Sequence, residues 1–452
     1  LTNRPGVASI LPMKLARWMT ALALALPLPA QPAAKIIPSP EPDWPQWRGP
    51  GRDARCAETG LLRNWPEGGP KVLWTRKGIG FGYSAPIICK ERLFITGDVG
   101  EELRLFACDL AGKHLWETGN GKSWKRPYPG ARACLAYADG RLFHMNAHGR
   151  VACLDDGSGK EHWAVETHER FGAKNITWAK SECLLVDGPR VIVTPGGTKA
   201  VMAALDVKTG ATVWAAPAIR MGPSEDARFQ TLPAPAGKTD GSSYASPLLF
   251  EFAGGRILAN CSQRHFFGVD ADTGALLWVR PLKTRYSVIA ATPVLAGDRI
   301  FVTAPDSDER WCYRMRPTER GVELDQLWKT DLDTCHGGLI SADGSFFGSN
   351  YRKKRGWTRL DAKTGEVQYT LPDVTMGSML LADGQLYGLT QDGEAILMTP
   401  TADAFRIDGR FTFAPEHKKD VWAHPVIHRK RLYLRYHDRL VCYDIEGSES
   451  TI

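Results

Sequence analysis

One eleven-residue pattern recurs along this chain: CLDDGSGKEHW (Cys153 to Trp163), ALDVKTGATVW (Ala204 to Trp214), GVDADTGALLW (Gly268 to Trp278) and RLDAKTGEVQY (Arg359 to Tyr369). ACDLAGKHLW (Ala107 to Trp116) is a version one residue shorter. In each full copy an Asp stands eight residues before the aromatic. The pattern describes a hairpin. A strand ends at the Asp, whose carboxylate can accept hydrogen bonds from the turn backbone. The Gly supplies a positive φ, and the following strand carries the aromatic outward.

Two more elements precede each copy. RLFITGD (Arg92 to Asp98), RLFHMNAHG (Arg141 to Gly149), RVIVTPGG (Arg190 to Gly197), RIFVTAPD (Arg299 to Asp306), QLYGLTQDG (Gln385 to Gly393) and RLYLRYHD (Arg431 to Asp438) alternate apolar and polar residues before a turn. Ahead of them come short apolar runs, often opened by Pro: APIIC at Ala85, SPLLF at Ser246, TPVLA at Thr292 and HPVIH at His424. Each unit therefore holds four short strands, the mark of a β-propeller blade. Units start near Pro86, Cys134, Cys183, Pro247, Pro293, Gly338, Ser378 and Pro425, which predicts an all-β, eight-bladed propeller. The last unit stops at LVCYDI (Leu440 to Ile445) without its aromatic strand, and KVLWTR (Lys71 to Arg76) supplies one at the other end of the chain. Pairing them closes the ring and removes its open edges. The ladder Trp74, Trp116, Trp163, Trp214, Trp278, Trp328 and Tyr369 is then expected to pack between neighbouring blades, each large aromatic contributing about 2–3 kcal/mol by burial. Gly222 to Ser243 reads as a long surface loop, and Arg316 to Asp325 replaces the usual turn of the fifth unit.

Composition fits this design, with 15 Trp, 45 Gly and 30 Pro favouring short strands and turns over long helices. Residues 13–34 (MKLARWMTALALALPLPAQPAA) have a basic start, an apolar run and a small-residue exit, so residues 1–34 are expected to be a signal peptide, with Met13 as an alternative start. The expected layout is then a cap at 35–70, the propeller at 71–447 and a tail at 448–452. An exported, periplasmic or secreted protein follows, with no membrane span after cleavage. The first Cys beyond the apolar run is Cys56, so no lipid-anchor cysteine is seen. Removing Arg4, Lys14 and Arg17 takes the formal charge from +7 to +4, with both signs interleaved, which argues against nucleic acid. The ten cysteines are expected to be mostly small core residues. Cys89 with Cys108 and Cys134 with Cys153 fall two strand spacings apart, beyond disulfide reach. Cys312 and Cys335 are the one pair considered for a bridge.

The pattern A-x-D-x-x-T-G-x-x-x-W resembles the pyrroloquinoline quinone (PQQ) repeat of quinoprotein dehydrogenases and of the propeller subunit of the outer-membrane barrel-assembly machinery. DWPQWRGPGRD (Asp43 to Asp53), GFGYSAP (Gly80 to Pro86), CHGG (Cys335 to Gly338) and WAHP (Trp422 to Pro425) make the chain similar to exported PQQ-like propellers of planctomycete-type bacteria. The resemblance implies the fold and divides on function, because catalytic and non-catalytic members share the repeat.

Residues just before the innermost strands crowd one channel mouth. They predict a ligand-binding pocket of Tyr83, Ser84, Trp178, Lys180, Tyr244, Ser246, Tyr286, His336, Trp422 and His424. The plainer alternative is that these aromatics only fill the mouth. His144 and His148 have a metal-like spacing but are expected to be solvent-exposed on a strand and turn. No catalytic or metal-binding residue is assigned. Under the dehydrogenase alternative the cofactors would be PQQ with calcium. Against it, the chain has no adjacent cysteines and no C-x-x-C-H haem motif, and Glu182 is the nearest acidic residue to the mouth. The preferred expectation is a monomeric, non-catalytic binding or scaffold protein of the cell envelope, engaging a protein, peptide or glycan. DWPQWRGPGRD is expected to lie across one face as a cap, with Trp44, Trp47 and Arg48 as possible binding residues.

Overall fold

The computed structural model describes residues 1–2, 32–235, 237–308, 310–351, 355–415 and 420–447. Residues 3–31 of the expected signal peptide, and the tail from 448, lie outside the described residues. Among the described residues the only α-helix is Thr167–Phe171, and no helix is long and apolar enough to cross a membrane.

Eight antiparallel four-stranded units follow one another around the ring. Their innermost strands are Ile87–Cys89, Ala136–Ala138, Leu185–Asp187, Leu248–Phe252, Val294–Ala296, Leu339–Ala342, Gly377–Ala382 and Val426–His428, which define blades 1 to 8. Blade 8 takes its outer strand from the start of the chain: Lys71–Lys77 pairs with Arg439–Asp444, from Lys71 opposite Asp444 to Lys77 opposite Arg439.

The repeat is a joint between blades. Asp206 Oδ1 accepts from the Lys208 and Thr209 N–H groups and the Thr209 hydroxyl, and Asp270 and Asp361 do the same in their own turns. The Gly of each turn has two duties. Gly210 sits at φ 70°, and a Cβ there would lie 2.7 Å from the Trp163 ring of the preceding blade. Gly112, Gly159, Gly274 and Gly365 receive Trp74, Trp116, Trp214 and Trp328 in the same way. The indole N–H groups of Trp74, Trp116, Trp163 and Trp214 donate to Leu110, Asp156, Val207 and Ala271 carbonyls of the next blade at 3.0–3.1 Å. The Tyr369 hydroxyl donates to Thr401 O at 2.9 Å.

Trp278 departs from the ladder. Blade 5 has no Asp turn to receive it, because Arg310–Thr318 and Gly321–Lys329 form a long hairpin there. Its ring instead lies over Gly268 of its own blade, where a Cβ would come within 2.3 Å. In the outer strands of blades 8, 1 and 3 a bulge pushes out the residue before the aromatic, which is why Leu73, Leu115 and Val213 are exposed.

The DWPQWRGPGRD region is not a cap across a face; it is a plug inside the channel. Lys35–Ile36 adds a strand to blade 4, Arg55–Cys56 adds one to blade 7, and Trp44 bridges Ile88 of blade 1. Pro45 O accepts from Tyr137 N–H of blade 2, and Ala34 N–H donates to Gly297 O of blade 5. Arg52 donates to Cys183 O at 2.7 Å and Leu184 O at 2.9 Å, Arg48 donates to Leu339 O of blade 6, and the Cys56 thiol reaches Ile427 O of blade 8. The segment so touches all eight inner strands or their ends. Polar backbone exposed along the channel explains the fit, because the inner strands have edges that need partners.

Three sequence expectations are corrected. Cys312 and Cys335 are not bridged: Cys312 is packed in the interface of blades 5 and 6, while Cys335 lines the channel mouth. His144 is fully buried, with Nδ1 accepting from Asn120 Nδ2 at 2.9 Å, and His148 is half-buried with Nε2 donating to Ser123 O. The alternation of the strand turned His144 inward, and the neighbouring blade supplied a polar partner. The Gly222 to Ser243 insertion is a surface loop as expected, and it is anchored: Phe229 bridges Val279, and Asp240 accepts from Ser262 Oγ and His265 Nδ1. The cap became the plug just described.

Candidate functional site

The mouth opposite the plug holds a cavity of about 500 Å³. Its floor is Trp47, carried up the channel by the plug, and its walls come from the segments that lead into the inner strands. Eight of the ten predicted residues line it: Tyr83, Trp178, Tyr244, Ser246, Tyr286, His336, Trp422 and His424. Trp422 is the hub of an aromatic wall, with ring centroids 4.9 Å from Tyr83, 5.1 Å from Tyr128 and 4.7 Å from His336. Trp178 faces Tyr244 at 6.1 Å, and Trp47 meets the His424 edge at 5.3 Å.

Two predicted residues point elsewhere. Ser84 follows Tyr83 in extended chain and so faces the opposite way, where its hydroxyl bonds Thr96 and accepts from Arg435 at 2.5 Å. Ala179, at φ 70°, turns the chain so that Lys180 enters the body of the blade and donates to Pro195 O at 2.9 Å and to Ser242 Oγ. Burial lowers Lys180 to about 8 and raises Glu182 to about 7. Both Glu182 oxygens are taken by Thr194, from its hydroxyl at 2.6 Å and its N–H at 2.9 Å.

The wall is largely neutral. Burial pushes His336 down to about 4 and His424 down to about 3, so both imidazoles are uncharged at neutral pH. His424 Nε2 donates to His336 O at 3.1 Å, which leaves Nδ1 as an acceptor. Among the described residues, that Nδ1 and the Trp422 Nε1–H are buried without a hydrogen-bond partner. Arg132 brings positive charge, its guanidinium 5.9 Å from the Tyr83 ring centroid and donating to Gly130 O at 2.7 Å; burial lowers it to about 10. Asp306 and Asp420 bring negative charge.

Sequence reasoning missed Tyr128, Arg132, Asp306, Tyr351, Asp420 and the three cysteines Cys134, Cys183 and Cys335, all of which line the cavity. Trp47 was a candidate of the N-terminal segment, and of the three residues named there it is the one that lines this cavity. Cys134 and Cys183 did carry a signal, since they occupy the same place in consecutive repeats, 49 residues apart.

The residues present do not fit a calcium-bound quinone. Calcium takes six to eight oxygen ligands. Among the described residues no three His, Cys, Asp or Glu side chains converge as a metal site, and Glu182 is engaged by Thr194.

A family model described as outer membrane protein assembly factor BamB matches residues 101–371. The outer membrane protein assembly factor BamB of Yersinia pestis is 22% identical over 349 residues, covering 74% of this chain and 76% of that protein. Among solved structures, BamB from Moraxella catarrhalis aligns with a TM-score of 0.50 at 14% identity, covering 78% of this chain and 95% of that one. The quinohemoprotein alcohol dehydrogenase from Comamonas testosteroni aligns with a TM-score of 0.61 at 12% identity, covering 91% of this chain and 82% of that one. At these identities the structural likeness is one of fold.

Proposed function

The chain belongs to the family described as outer membrane protein assembly factor BamB, and on that premise we propose that it is a non-catalytic binding or scaffold protein of the cell envelope. Its ligand is a segment of protein, a peptide or a glycan that enters the aromatic cavity. The observation that carries this is a wall of tilted and edge-on aromatics around one cavity, which is also lined by Trp422 with an unpaired indole donor and His424 with an unpaired ring acceptor. Buried polar groups are normally paired, so an unpaired donor and acceptor lining one pocket are suited to a ligand that pairs them. Aromatic walls supply area at low entropic cost, and Arg132, Asp306 and Asp420 orient polar groups. The similarity to assembly factors favours envelope partners, and the expected signal peptide favours export.

The test compares material retained from envelope extracts by the wild-type protein and by a Trp422→Ala, His424→Ala variant, with bound peptides and glycans identified after elution. Loss of a central aromatic costs about 2 kcal/mol or more, roughly a 30-fold loss of affinity. Identical retention by both proteins refutes the cavity as the binding site. Saturable PQQ binding in the presence of calcium, with dye reduction on adding an alcohol or sugar, overturns the non-catalytic assignment.

A further inference from the structure

Four residues hold the same place at the entrance to the inner strands of blades 1 to 4: Ala85, Cys134, Cys183 and Ser246. A chain of hydrogen bonds ties each to the next. Ala85 N–H donates to Cys134 Sγ at 3.2 Å, Cys134 N–H to Cys183 Sγ at 3.3 Å, and Cys183 N–H to Ser246 Oγ at 3.0 Å. Serine is the ordinary acceptor for such a task, and a hydroxyl serves it in blade 4. Blades 2 and 3 use thiols, so two cysteines from different blades are direct neighbours, with Cys183 Sγ 3.3 Å from the Cys134 backbone N. Both line the cavity, which gives a small molecule a route to them. Cys89, Cys153, Cys261 and Cys312 are buried in the core clusters as well but do not line the cavity.

The two thiols are not equivalent. Cys183 Sγ accepts the Cys134 N–H, and the Arg52 guanidinium is anchored beside it on Cys183 O at 2.7 Å. Burial by itself raises both thiols. At Cys134 burial prevails and the thiol is pushed well above the usual value. At Cys183 the hydrogen bonds from the Cys134 thiol and N–H, together with the Arg52 charge, outweigh burial and hold the thiol below the usual value. The guanidinium fixed on the Cys183 carbonyl favours a thiolate at Cys183, which makes it the attacking cysteine and Cys134 the resolving one.

We propose that Cys134 and Cys183 form a redox-active dithiol at the base of the cavity that exchanges with low-molecular-weight disulfides. The Cys183 thiolate attacks one sulfur of the small disulfide RSSR. A protein–S–SR bond forms, the S–S bond of RSSR breaks, and the first RS⁻ leaves and takes up a proton. Cys134, giving its proton to solvent, then attacks Cys183 Sγ and expels the second RS⁻. The sum is two protein thiols plus RSSR giving one protein disulfide plus two RSH. The small disulfide is reduced by two electrons and the dithiol is oxidised by two. The new bond ties blade 2 to blade 3 beneath the ligand pocket. This activity does not depend on what else the cavity binds.

The experiment incubates the reduced full-length protein with glutathione disulfide and maps its peptides under non-reducing conditions. The expected product is a linked pair of peptides containing Cys134 and Cys183, with two glutathione molecules released per chain. Cys134→Ser leaves glutathione trapped on Cys183, and Cys183→Ser gives neither adduct nor link. In the unmutated protein, which removes any question of folding, Cys183 reacts with iodoacetamide at pH 7 at least about tenfold faster than Cys335, which lines the same cavity. Absence of the Cys134–Cys183 link, a link to Cys335 instead, or equal alkylation of Cys183 and Cys335 overturns the proposal.

Discussion

Replacing Gly210 with alanine tests whether the repeat works as a joint between blades, and Gly140 provides the matched control. Both glycines are left-handed, with φ of 70° and 76°, so alanine at either costs about 1–2 kcal/mol for the backbone alone. Gly140 opens on empty space, with nothing within 4 Å of an added Cβ. At Gly210 the methyl would lie 2.7 Å and 2.9 Å from two atoms of the Trp163 ring, both inside normal contact. The indole has little freedom to retreat, because its N–H is held by Val207 O at 3.1 Å. Overpacking of this kind adds about 1–3 kcal/mol, giving a total of about 2–5 kcal/mol against about 1–2 for Gly140→Ala. Urea unfolding followed by tryptophan fluorescence measures both, and an unchanged m-value shows that the comparison is one of stability. Equal losses in the two variants, within about 0.5 kcal/mol, would mean that Trp163 is not a fixed element of the blade 2 to blade 3 seam.

Three further outcomes follow from the packing. The buried His144 is pushed down to about 3 in the fold, so its contribution to stability is present above pH 6.5 and is lost as pH falls from there toward 3. His144→Gln therefore removes up to about 1.4 kcal/mol per pH unit from the stability slope between pH 6 and 4, and coincident slopes in a pH series of unfolding curves refute this. Trp74→Ala, which removes the indole bond to Leu110 O and the stack on Gly112, costs about 2–4 kcal/mol. Hydrogen exchange then accelerates first in 71–77 and 439–444, and a uniform rise around the ring contradicts it. Arg52→Met strips donors from Cys183 O, Leu184 O and Gln46 Oε1 and costs about 2–4 kcal/mol. Acrylamide then quenches Trp47 more strongly, and unchanged quenching shows that the plug holds without Arg52.

What the sequence determined by itself was everything that local pattern can encode. Period-two strands, Asp–Gly turns and a recurring aromatic gave the blade, the number of blades and the closing role of Lys71–Lys77, because each depends on residues close together in one repeat. Most of the aromatic mouth was legible for the same reason, since its residues precede inner strands whose starts the pattern marks. Side-chain direction was less legible. Ser84 and Lys180 sit at the right place in sequence, but strand alternation and one left-handed residue, Ala179, turn them into the body. Trp278 carries the full motif and still makes no standard joint, because its partner turn was lost from the next blade.

The tertiary structure alone decided what meets across the ring. The plug could not be read from Ala34 to Cys56, because its partners are backbone carbonyls and strand edges spread over all eight blades. Unpaired edges along a channel attract whichever segment can reach them. Cys134 and Cys183 are 49 residues apart and carry no local signature of pairing. Closing the ring sets equivalent positions of successive blades beside one another, and that step makes two isolated core cysteines into neighbouring thiols facing a cavity.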